Sequence, residues 1–87
     1  MNENVLKDIG ANIVLHRRLR GITQVWCAQK ARIGVATLSK IERGIAGDGV
    51  PLTTYIRIAE ALNISIIELL KTTDVKVNIC VNKRLVK

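Results

Sequence analysis

Apolar residues recur at helical spacing over most of this chain and switch to strict alternation only near its end. Leu6, Ile9 and Ile13 stand at i, i+3 and i+7, which predicts a helix over 5–20 that Gly21 stops. Gly10 sits inside it, at a cost of about 1 kcal/mol relative to alanine. His16 falls one turn after Ile13. It reads as a core or boundary histidine, with a pH sensor as the sharper alternative. Thr23 can cap a second helix, because its hydroxyl accepts an orphan backbone N–H. Cys27, Ala28 and Ala31 then share one face. A break at Arg32-Ile33-Gly34 follows. Val35, Leu38 and Ile41 recur every three residues in a third helix. Gly34 is an acceptable cap for it, and Gly44 just past its end can take the left-handed C′ conformation.

The second half continues the helical period. Residues 45–50 form a Gly-rich turn that lacks the Lys-Ser/Thr of a phosphate loop. Pro51 suits the first turn of a helix. Leu52, Tyr55, Ile56, Ala59 and Leu62 predict a fourth helix that buries those residues, and Asn63 ends it. Ser65-Ile66-Ile67-Glu68 is a capping box that opens a short fifth helix to about residue 71. From Asp74 the period changes to two. Val75, Val77, Ile79 and Val81 lie on one side, the pattern of a half-buried strand. The expected fold is therefore all-α: a five-helix helix-turn-helix domain over 1–73 with a C-terminal β-strand arm over 74–87. A lone strand leaves N–H and C=O groups unpaired along both edges. The arm is expected to pair with its copy in a homodimer. A partner protein and a disordered tail are the competing readings.

Charge narrows the partner. The chain of 87 residues carries a net +7. Arg17, Arg18, Arg20, Lys30, Arg32, Lys40 and Arg43 fall between His16 and Gly44, against Glu42 alone. A basic block that coincides with two short helices joined by about three residues favours a polyanion. A membrane is disfavoured, because there is no long amphipathic basic helix, no signal peptide and no apolar run of spanning length. A cytoplasmic location follows. Phe is absent, with one Trp and one Tyr, so the core must be aliphatic. Cys27 and Cys80 form no disulfide framework, and Cys27 reads as a buried thiol. His16, Cys27 and Cys80 are too scattered for a zinc site, and no metal or cofactor is expected. No nucleophile–base pair suggests an enzyme.

The stretch 23–44 resembles the helix-turn-helix of the phage repressor and Cro family of small regulators. The Thr-Gln opening at Thr23-Gln24, Ala28, Ile33, Leu38, and the ending Ile41-Glu42-Arg43-Gly44 carry the likeness, which extends from about Ile9 to Leu70. Ala28 is the small residue that lets the two helices approach. Arg32 stands where the family has glycine, and an arginine held left-handed costs roughly 1 kcal/mol. Gly34 stands where the family has Ser or Thr. The resemblance implies a sequence-specific double-stranded DNA-binding repressor, acting as a homodimer on a palindromic operator. It places Val35, Ala36 and Lys40 at base-contacting positions, with Ser39 adjacent. An ammonium can donate to guanine O6 and N7, and small apolar groups suit a thymine methyl. Gln24, Arg18 and Arg43 are expected to hold phosphates. Arg17 is expected to pair with Glu42. Val14, Leu15, Val25 and Trp26 stand where the family has polar residues, which implies either an enlarged core or an exposed contact patch. The patch suits the alternative function, an antitoxin-type module that binds a toxin and represses its own operon.

Overall fold

Helix α1 spans Glu3–Leu19, α2 Gln24–Ala31, α3 Val35–Glu42, α4 Leu52–Ala61 and α5 Ile66–Leu69 in the computed structural model, which describes residues 3–47 and 49–71. Those residues contain no strand. The arm expected over 74–87, with Val75, Val77, Ile79 and Val81, lies outside them, as does Cys80.

Local chemistry sets the boundaries. His16, Arg17 and Arg18 crowd the last turn of α1, where cations favour the carbonyl end of the dipole, and Gly21 leaves it at φ +65°. Thr23 Oγ1 accepts from Trp26 N at 3.0 Å to start α2. Arg32 ends α2 in the left-handed region, φ 60° and ψ 44°. Its amide donates to Gln29 O, and that of Ile33 to Ala28 O, so α2 closes and turns into α3. Gly34 caps α3 without a side-chain bond. Gly44 follows at φ +74° and lies so close to Lys7 of α1 that a Cβ there would be 2.9 Å from the Lys7 Cα. Pro51 is the N-cap of α4 and not its first helical residue. Ser65 Oγ accepts from Glu68 N at 3.1 Å at the start of α5. The Glu68 carboxylate turns to Lys71, at 3.2 Å, instead of completing the box.

The core is aliphatic apart from Tyr55: Ile9, Ile13, Cys27, Leu38, Ile58, Leu62 and Leu69 are buried in it, with alanines at the α2 contacts. One expectation fails in phase. Leu52 is 59% exposed and Ile56 is exposed as well. At about 100° per residue, the buried stripe of α4 centres on Ile58 and Leu62, with Tyr55 and Ala59 on one flank and Thr54 and Ala61 on the other. Leu52 and Ile56 fall outside that arc. The enlarged-core alternative also fails. Leu15, Val25 and Trp26 are exposed, and Val14 is half-buried.

Candidate nucleic-acid interface

Helix α3 turns Leu38 and Ile41 into the core. Its other side presents Val35, Ala36, Thr37 and Lys40 to solvent, with Ser39 half-buried and Arg43 exposed just past the end. The Lys40 side chain makes no hydrogen bond or ion pair among the described residues. Arg43 Nε reaches only Ser39 O, at 3.4 Å. The face therefore joins small groups that permit close approach to a cation with its donors free. Thr37 is not among the expected contacts. It borders an open groove of about 390 Å³ with Lys40, Ile33, Val50, Pro51 and Thr54. Its only signal in the sequence is a hydroxyl three residues before Lys40.

One carboxylate fixes this helix. Glu42, its side chain 5% exposed, accepts from Arg17 Nε at 2.9 Å and Nη2 at 3.2 Å, and from Gln24 Nε2 at 3.0 Å. A bidentate guanidinium–carboxylate pair is both strong and geometrically specific. Arg17 Nη1 also donates to Ile22 O at 3.1 Å. The cluster ties together the end of α1, the start of α2 and the end of α3. The structure thus brings Arg17, Gln24 and Glu42 together. It leaves the Arg18 side chain exposed, with no partner among the described residues.

Three supports have little trace in the local pattern. Gly10 permits α1 to touch the end of α3: a Cβ there would lie 2.3 Å from Glu42 O and 2.6 Å from Ile41 O. Asn12 Nδ2 donates to Leu69 O at 3.0 Å and to Lys71 O, closing the carbonyl end of α5. Arg57 Nε donates to Ala31 O at 2.8 Å and does the same for α2. His16 stands at the α1–α5 boundary, with Nδ1 3.2 Å from Arg20 Nη1 and Nε2 3.8 Å from Glu68 Oε2. Beneath the cluster, burial pushes the Cys27 thiol above its ordinary pKa. Glu42 adds to the rise and Arg17 opposes it.

Comparison with known proteins agrees with this geometry. A family model described as helix-turn-helix matches residues 15–69. No curated protein matches the chain. Among solved structures, the restriction-modification controller protein C.AhdI from Aeromonas hydrophila is similar at 26% identity, with a TM-score of 0.68 over 74% of this chain and 94% of that one. The hypothetical transcription factor NHTF from Neisseria shares the fold at 22% identity, with a TM-score of 0.70 over 91% of this chain and 90% of that one.

Proposed function

The chain belongs to the helix-turn-helix family of non-enzymatic, DNA-binding regulators of transcription, and from that premise we propose that it is a sequence-specific repressor acting as a homodimer on a roughly palindromic operator. The observation that carries this reading is the face of α3, where exposed Val35, Ala36 and Lys40 stand on a helix clamped through Glu42. Lys40 donates to guanine O6 and N7, and Val35 and Ala36 meet thymine methyl groups, with Ser39 beside them. Arg18 and Arg43 hold phosphates. Gln24 gives one amide N–H to Glu42 and keeps the second for a phosphate, next to the first amides of α2. Two copies set their α3 helices in successive major grooves, about 34 Å apart. The arm over 74–87 joins the copies, a part of the proposal that rests on the alternation of Val75, Val77, Ile79 and Val81 alone.

Selection from random duplex DNA tests the reading, and an enriched palindrome is the expected result. Absence of any enriched sequence would overturn it. On the selected site, Lys40→Ala is expected to cost about 1–3 kcal/mol and to relax preference at one base pair per half-site. Equal weakening on all sequences would reassign Lys40 to phosphate. Affinity should fall with salt at a log–log slope of about −0.9 for each phosphate held.

A further inference from the structure

Cations gather a second time, away from the face of α3. The C-terminal ends of α2 and α4 border an open cleft of about 420 Å³ lined by Gln29, Lys30, Arg32, Arg57, Glu60 and Ala61. Arg57 is engaged with Ala31 O. The other two cations are available. Arg32 is exposed and its side chain has no partner among the described residues. Lys30 only stands over the Trp26 ring, 5.7 Å from its centroid. Arg32 is also one of two non-glycine residues at positive φ among the described residues, φ 60°. Such backbone favours glycine, so a long cation held there is a strained position with a charge to present.

Three cations around one acid select a carboxylate-rich occupant. This chain supplies none. Its net charge is +7, which sets a second copy against the cleft, and residues 72–87 carry Lys76, Lys83, Arg84 and Lys87 against Asp74. Continuous phosphodiester also fits poorly, because Glu60 faces the same space. Lys30 and Arg32 lie at the end of α2 opposite Gln24, which reaches the Glu42 clamp. Trp26, 45% exposed one turn before Lys30, adds an apolar ledge beside the cations.

We propose that this cleft docks an acidic segment of a partner protein, with Lys30 and Arg32 pairing its carboxylates and Trp26 covering an apolar side chain next to them. The docked segment sits at the far end of α2 and leaves the face of α3 open, so partner and DNA are held together.

Fluorescein-labelled hexaglutamate is the probe. The full chain is titrated at about 0.15 M salt by anisotropy, with emission of Trp26, the one tryptophan of the chain, locating the event. Saturable binding with a change in that emission is expected. The variant carrying Lys30→Gln and Arg32→Gly keeps its turn, because glycine suits φ 60°. It is expected to bind hexaglutamate about tenfold more weakly and duplex DNA as before. Absence of saturable binding overturns the proposal. Equal binding of a hexathymidylate strand would mark a generic anion surface and also overturn it. A loss of duplex affinity and salt slope in the variant would make the cleft part of the DNA surface, with the same consequence.

Discussion

Glu42 concentrates more consequence in one side chain than any other residue of the clamp. Removing it leaves the Arg17 guanidinium, 15% exposed, with only the Ile22 carbonyl, and frees the Gln24 amide. Glu42→Ala is expected to lower unfolding stability by about 3–5 kcal/mol, the cost of stranding a largely buried cation. Urea denaturation reads this directly, and an unchanged midpoint would show the pair to be inert. Cys27 gives a pH signature. Its folded pKa lies above the unfolded one, so above about pH 8.5 the unfolded chain has released a proton that the folded chain still holds. Stability is then full below that pH and declines as pH rises through the alkaline range. Burial shifts Tyr55 in the same direction. In a Cys80→Ser background, Cys27 should react with a thiol reagent far more slowly in the native protein than in urea, and fast native reaction would contradict its burial. The partnership of Arg17 with Glu42 is legible because both residues belong to a motif of fixed order. The roles of Asn12 and Arg57 are not, since each bonds a backbone carbonyl 26 or more positions away that carries no side-chain signal.

Helix boundaries are legible in the sequence because the groups that make them are local. Thr23, Ser65 and Gly44 act within four residues of themselves. Phase is harder, because it depends on neighbours. Leu52 and Ile56 satisfy an apolar repeat, but α4, packed against α2 and α5, buries Ile58 and Leu62 instead, and the repeat alone does not say which flank is covered. Trp26 and Val25 are ambiguous in the sequence for the same reason. Gly10 shows the limit most sharply. Within a helix it reads as a cost, yet it is the point where α1 meets the last carbonyls of α3. Gly10→Ala should therefore forfeit the helix-propensity gain of about 1 kcal/mol and destabilise the domain by about 1–3 kcal/mol through overpacking. A more stable variant in thermal melts would mean that the two helices can separate without loss.

At the scale of the molecule, the proposed arm carries assembly. Burying Val75, Val77, Ile79 and Val81, at about 1.5–3 kcal/mol each, would offset much of the cost of association. Deleting residues 74–87 should shift a dimer to monomer in analytical ultracentrifugation and weaken operator binding. A truncated protein that remains a full-strength dimer with unchanged affinity would refute the arm. Helix α1 decides what such a joint can transmit. Gly10 seats the end of α3, Arg17 grips Glu42, and Asn12 holds the backbone as far as Lys71. At 1.5 Å per residue, these three stations occupy about 10 Å of a single rod. One helix thus links the end of α3 to Lys71, the last of the described residues. A pull on Lys71 therefore acts as a torque on the whole headpiece. Were two copies joined through the proposed arm, that joint would set the angle between their α3 helices, and half-site spacing would become a property of the coupling between heads.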